Sequence, residues 1–141
     1  MNQTTIVNNL YEIIESAPLD EAVGIRLAHL TGSADFSLFA AEIGPKKKVG
    51  GHYHKFGIET YQIVEGEGIM HLGKPDSNST VENNTVQWTG SFNVKTGDCF
   101  TVNEGEVHQL VNILDHKLII VVGCSKAHVT TDRITVKGYE A

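Results

Sequence analysis

The stretch that decides the fold is Gly51-His52-Tyr53-His54-Lys55-Phe56-Gly57-Ile58-Glu59. On a β-strand, residues two positions apart point to the same face, so we expect His52 and His54 to project together. Glu59 follows after a spacer long enough for a turn and a return on a neighbouring strand, and His108 begins another strand after the turn at 103–105. Imidazoles and a carboxylate that converge in this way can bind a divalent transition metal. For His52 and His54 alone, a metal site and two ordinary structural histidines are equally good interpretations.

The chain beyond residue 22 has the pattern of many short strands. Apolar runs alternate with turn residues at a spacing of roughly 8–12 residues, which is typical of an all-β sandwich or barrel. Glycine is frequent, with 14 residues, and several of these glycines fall in the predicted turns. The predicted strands are 23–29, 36–43, 53–54, 59–64, 68–72, 86–88, 91–94, 99–102, 107–111 and 118–122, and the polar segment 73–85 is a predicted surface loop.

One short helix precedes these strands. Leu10, Ile13, Ile14 and Ala17 have the spacing of one helical face, with Asn9 as the N-cap residue and a proline after Ala17. We therefore predict an N-terminal helix and extension over residues 1–22 and a barrel over 23–141, within a single domain. The apolar helix face needs either the barrel or a partner to cover it, and we predict a homodimer.

Composition excludes several classes of protein. The 141 residues include 11 Lys and Arg against 17 Asp and Glu, a net charge of −6, which argues against nucleic-acid binding. No apolar run approaches the roughly 20 residues of a membrane helix, and residues 1–5 lack the start of a signal peptide. Two cysteines do not make a disulfide scaffold. We therefore expect a cytoplasmic protein with no membrane partner.

Two segments together resemble the cupin superfamily. The first cupin motif is His-any-His, then Glu, then Gly, and His52, His54, Glu59 and Gly66 stand at its positions. The second motif is matched by Gly97, Gly105, His108 and Asn112. The chain departs from the family at two positions, with Asn103 in place of a proline and Lys46 in place of a glycine.

The resemblance implies a double-stranded β-helix, the jelly-roll barrel of the cupins, with a metal centre. Its ligands would be His52, His54, Glu59 and His108. Iron, manganese, nickel, cobalt, copper and zinc all accept such a mixed ligand set, so the metal stays open. The ligand set would carry one net positive charge with its ion, which favours a small, polar or anionic substrate.

The reaction also stays open, because one fold supports many functions. A dioxygenase is the first hypothesis. The alternatives are a non-oxidative isomerase or lyase acting on a sugar or keto acid, and a non-enzymatic module that binds a small ligand. Tyr61, which shares the strand face of Glu59, is the candidate catalytic residue, with His29 as a further candidate base.

Other residues receive structural interpretations. We predict that Cys99 and Cys124 are buried and inert, and that Asn112 fixes the backbone at a strand end. The basic segment 46–48 could attract an anion, but a solvated loop is the favoured interpretation. The remaining histidines are expected to be surface or ordinary core residues: His29, His71, His116 and His128.

Overall fold

The computed structural model describes residues 5–20, 24–78 and 84–140. Within these ranges the chain forms one α-helix and eleven strands, joined by turns and loops. The elements are α1 Leu10–Ser16, β1 Leu19–Asp20, β2 Ile25–Gly32, β3 Ser37–Ile43, β4 His52–Tyr53, β5 Glu59–Glu65, β6 Glu67–Pro75, β7 Val86–Lys95, β8 Cys99–Val102, β9 Val107–Asn112, β10 Leu118–Cys124 and β11 Ile134–Thr135, with a 3₁₀ helix at Lys126–Val129.

The strands form two antiparallel sheets that face each other. One sheet has the order β1-β2-β3-β10-β5-β8, and the other has the order β11-β4-β9-β6-β7. Strands that are distant in sequence are neighbours in both sheets, as in a jelly roll. The predicted all-β double-stranded β-helix with a short N-terminal helix is thus confirmed.

The apolar core fills the space between the sheets. Alternate residues of β5 point inward, so Glu59, Tyr61 and Ile63 are buried while Thr60 and Gln62 are exposed. The other buried apolar side chains of this core come from both sheets: Ala41, Ile43, Met70, Val94, Val102, Leu110, Leu118 and Ile120. Period-two alternation along β5 therefore determines which of its side chains can reach the interior.

The helix α1 covers the outer face of the larger sheet. Asn9 caps it, since its side-chain oxygen accepts hydrogen bonds from the backbone N–H groups of Tyr11 and Glu12. Ile14 is buried against Leu30 and Ala40. The barrel itself therefore covers the apolar helix face. This face gives no support for a homodimer, which stays a prediction.

Most of the predicted strands are present, but the short strands β1 and β11 fall outside them and two predicted elements differ. The two strands predicted at 86–88 and 91–94 are a single strand, β7, which pairs along β6 with one irregularity near Leu72. Because β6 continues to Pro75, the loop predicted from residue 73 begins later. Part of that loop, 79–83, and the boundary predicted between residues 22 and 23 lie outside the described residues.

The two departures from the cupin pattern do not disturb the barrel. Lys46, at the position of a family glycine, has a φ of 60°, the left-handed conformation that glycine adopts without strain. Asn103 opens a turn in which the N–H of Glu106 donates to its carbonyl. Asn112 fixes the backbone as predicted, because its amide donates to the carbonyl groups of Ile43, Gly44 and His116 and accepts from the N–H of Leu114.

Within the described residues, no helix is long and apolar enough to cross a membrane.

Candidate metal centre

The structure brings the four predicted ligands together inside the barrel. His52 on β4 pairs directly with His108 on β9, and their rings lie 4.3 Å apart between centroids. His54 follows β4, and Glu59 is the first residue of β5. All four side chains are buried, and one nitrogen or oxygen atom of each lies within 4.8 Å of those of the others. Four donor atoms this close can surround a single ion.

The backbone fixes which nitrogen of each histidine faces the centre. In all three rings Nδ1 lies within hydrogen-bond distance of a main-chain carbonyl oxygen, which can only accept, so Nδ1 carries the proton. Each Nε2 is then left with a free lone pair. The three bonds run from His52 to Gly50 (2.8 Å), from His54 to Asp132 (2.5 Å) and from His108 to Glu106 (3.0 Å).

The free lone pairs have no partner in the protein. Nε2 of His54 and Nε2 of His108 are buried without a hydrogen bond. Each instead lies 3.2 Å from an oxygen of Glu59. Buried acceptors that face one another repel unless a cation lies between them, and native proteins rarely leave such atoms unsatisfied. The donor set therefore fits a divalent transition metal.

The protonation states match this requirement. Burial and the neighbouring His108 lower the pKa of His52 to about 3, so its ring is neutral at neutral pH. Burial alone would raise the pKa of Glu59, but the hydrogen bond that His128 donates to the carboxylate lowers it. Glu59 is therefore a carboxylate. Neutral imidazole and ionised carboxylate are the forms that bind metals.

A fourth histidine, His128, belongs to this centre. Its Nδ1 lies 3.0 Å from Oε2 of Glu59, and its Nε2 lies 2.6 Å from the carbonyl oxygen of Phe56. Since both neighbours only accept, both ring nitrogens donate, and His128 is an imidazolium. Burial would lower the pKa of His128, but these two hydrogen bonds and the charge of Glu59 raise it. The sequence interpretation of His128 as an ordinary core residue missed this role.

We predict that His128→Gln weakens metal binding about tenfold. His128 orients the Glu59 carboxylate, and the loss of such an outer partner typically reduces metal affinity 10–100-fold. Isothermal titration of the chelator-treated protein with Mn²⁺ or Zn²⁺ measures the change. His71→Gln is the matched control, because His71 is also buried but bonds to Ser91 away from the centre. Equal affinity of the His128→Gln variant and the parent protein would contradict the assigned role.

A cavity of about 460 Å³ adjoins the centre. Its walls are mainly apolar and come from β2, β3, β5 and β10, while His52, His54 and Glu59 contribute to its lining. Tyr61 also lines it and donates a hydrogen bond to Oε1 of Glu59 over 3.3 Å. Burial and Glu59 raise the pKa of Tyr61, so its hydroxyl is a proton donor rather than a base.

Cys124 is a further polar group of this cavity. It is buried as predicted, and burial together with Glu59 raises the pKa of its thiol to about 12. The thiol therefore stays protonated, which agrees with an unreactive cysteine. The other cysteine, Cys99, is exposed, so its predicted burial is wrong: it lies on the outward face of β8.

Arg133 also lines the cavity, and it is a second cationic side chain there beside His128. The basic segment 46–48 contributes nothing to the lining. Lys46 instead donates to the carbonyl of Ile113, which agrees with a structural, solvated loop. The sequence analysis did not single out Arg133, because no motif surrounds it.

Comparison with known proteins places these features in a family. The sequence profile of the family described as glucose-6-phosphate isomerase (GPI) matches residues 1–139. The chain belongs to the glucose-6-phosphate isomerase family. This match and the structural neighbours below also make it a member of the cupin superfamily, as the two motifs predict. A comparison with curated proteins finds no match.

Solved structures similar to this member of the glucose-6-phosphate isomerase family share its fold at low sequence identity. KdgF from Halomonas sp. has a TM-score of 0.63 and 14% identity, over 87% of this chain and 96% of that one. A cupin superfamily protein from Desulfitobacterium hafniense has a TM-score of 0.55 and 13% identity, over 78% and 82%. A predicted oxalate decarboxylase from Thermotoga maritima has a TM-score of 0.55 and 23% identity, over 72% and 79%.

The remaining histidines lie away from the metal centre. His29 is exposed, contacts Ser37 and Phe39 and does not line the cavity, so it is not placed to act as a base there. His116 is exposed at a turn. His71 stacks on Tyr139, with ring centroids 3.8 Å apart. Of the two candidate bases of the sequence analysis, only Tyr61 reaches the site.

Proposed function

We propose that the protein is a metal-dependent aldose–ketose isomerase that acts on a phosphorylated sugar. The observation that carries this proposal is the match of the glucose-6-phosphate isomerase family to residues 1–139. The centre formed by His52, His54, Glu59 and His108 supports it, because this cluster can bind a metal and adjoins a cavity. The non-oxidative alternative of the sequence analysis thus becomes the preferred one.

The chain would hold the ion through Nε2 of the three histidines and the carboxylate of Glu59. A bound divalent metal supplies a Lewis acid that polarises the carbonyl group of the sugar. The carbonyl bonds to Gly50, Asp132 and Glu106 keep the three rings in one tautomer, so the ligand atoms are positioned before the ion arrives. This ligand set by itself does not select among the divalent transition metals.

Isomerisation also requires groups that accept and return protons. The lowered pKa of Glu59 makes its carboxylate a weak base, so Glu59 serves as a ligand and not as the proton acceptor. The hydroxyl of Tyr61 lines the cavity and can donate its hydrogen bond to an oxygen of the sugar in place of Glu59. The walls of the cavity around these groups are mainly apolar.

The direct test is the interconversion of fructose 6-phosphate and glucose 6-phosphate. The purified protein is treated with a chelator and reloaded separately with Mn²⁺, Fe²⁺, Ni²⁺ and Zn²⁺, the iron under anaerobic conditions. We expect the chelated protein to show only background activity. After reloading, the activity should be at least 100-fold above that background. The parallel variant His116→Ala, at an exposed site, should keep the parent activity.

Two other outcomes would contradict the proposal. Consumption of oxygen with Fe²⁺ and a chelating substrate, without isomerisation, would support the dioxygenase hypothesis. A ligand-dependent rise in melting temperature without any product would support a binding module. In both cases metal analysis confirms that the protein tested is loaded.

A further inference from the structure

Arg133 differs from the other cationic side chains of the protein in its place and its partners. It lines the same cavity as His52 and His54, and its side chain is exposed to solvent. Within the described part of the chain, no carboxylate lies within salt-bridge distance of it; Arg26, by contrast, pairs with Glu42 at 3.3 Å. A guanidinium without an ion pair at the wall of a cavity is available for a ligand.

The backbone on both sides of Arg133 is fixed to the segment that carries the ligands. The carboxylate of Asp132 accepts hydrogen bonds from the N–H groups of Lys55 (2.7 Å) and Phe56 (3.0 Å). On the other side, Ile134 pairs with Tyr53 in the β11–β4 ladder. Pairing with β4, the strand that carries His52, therefore holds the backbone at Arg133 beside the metal centre.

We infer that Arg133 binds the anionic end of the substrate while the metal centre engages the carbonyl end. This inference rests on the proposed function and names the residue that selects a phosphorylated sugar over a neutral one. A guanidinium presents parallel N–H donors that match two phosphate oxygens, which a lysine does not. Arg133 is therefore the group in the cavity lining that can hold a phosphate through paired N–H donors.

The lysines close to the ligand residues in sequence are not placed to bind the substrate anion. The segment 46–48 and Lys55 are near the ligand residues in sequence, but none of them lines the cavity. A substrate anion in this cavity would therefore meet Arg133 and none of these lysines.

The experiment measures binding of sorbitol 6-phosphate and of sorbitol by isothermal titration. Neither compound has a carbonyl group, so neither is isomerised. Both are titrated into the chelator-treated and the Mn²⁺-loaded protein, so that binding of phosphate to the metal is separated from binding to Arg133. The variants are Arg133→Gln and Arg133→Lys, and Lys55→Gln is the matched control, because Lys55 is a nearby cation outside the cavity.

We expect Arg133→Gln to weaken sorbitol 6-phosphate binding at least tenfold in both forms, with no effect on sorbitol. Arg133→Lys should recover part of the loss, and Lys55→Gln should bind as the parent protein does. Unchanged phosphate binding in Arg133→Gln, an equal loss for sorbitol, or no binding of sorbitol 6-phosphate to the parent would each overturn the inference. If the Arg133-dependent binding holds and no isomerisation occurs, only the proposed function fails.

Discussion

Replacing His108 by alanine is expected to lower the affinity for a divalent metal by more than about 100-fold. His108 is 1% exposed, and its unpartnered Nε2 points at the other ligands. Removing a partner outside the ligand set already costs 10–100-fold, so removing a ligand should cost more. His52→Ala, His54→Ala and Glu59→Ala should each behave in the same way. Metal content after dialysis and titration with Mn²⁺ or Zn²⁺ measure the loss.

The control for this prediction is His116→Ala, since His116 is exposed and outside the cluster. It should keep the full metal content. The His108→Ala variant should still fold, because the apolar core between the sheets does not depend on the ion, and its circular dichroism spectrum should show the parent strand content. Full metal content in His108→Ala together with loss in His116→Ala would show that the site is elsewhere.

The metal-free protein is expected to lose stability steeply in mild acid. The pKa of His52 is about 3 in the folded protein, against an ordinary value of 6.5. Between these two pH values the unfolded chain binds a proton at this residue and the folded chain does not. The free energy of unfolding therefore falls as the pH is lowered through this window, by about 1.4 kcal/mol per pH unit from this group at most.

Chemical denaturation in the presence of a chelator at pH 6.5, 5.75 and 5.0 measures this slope. The substitution His52→Asn keeps a donor for the carbonyl of Gly50 but removes the titrating ring. It should lower the slope by about 1 kcal/mol per pH unit, averaged over this range. The lowered pKa of Glu59 acts in the same direction, but only below its ordinary value of 4.5, outside the range measured. The raised pKa of His128 acts in the opposite direction near its ordinary value of 6.5, but it is common to both proteins and does not affect the difference between them. Equal slopes for the two proteins would show that His52 is not the group responsible.

The ligands could be predicted from the sequence because their relation is local or carried by a motif. His52 and His54 share a strand face through the period-two geometry of β-structure, and that geometry holds wherever the strand lies. The two motifs supplied Glu59 and His108, and the structure brings all four together. The same period-two geometry correctly separated the buried Tyr61 from the exposed Gln62 on β5.

His128 and Arg133 could not be predicted in this way. Both lie after β10 in a segment with a 3₁₀ turn and no apolar periodicity, and His128 is 69 residues away from Glu59, to which it bonds. The local sequence does not indicate which strand such a segment will contact. The pairing of β11 with β4 and the bonds of Asp132 to Lys55 and Phe56 bring it to the ligands.

The sequence by itself determined the all-β class, the capped helix and the four residues of the candidate metal centre, because alternation, capping and motif spacing depend on residues close together in the chain. Only the tertiary structure decided that the helix face is covered by the barrel, that His128 holds Glu59 as a cationic donor and that Arg133 lies at the cavity. These depend on contacts between segments distant in the chain. Such contacts are selected by the packing of the whole fold, and no local pattern encodes them.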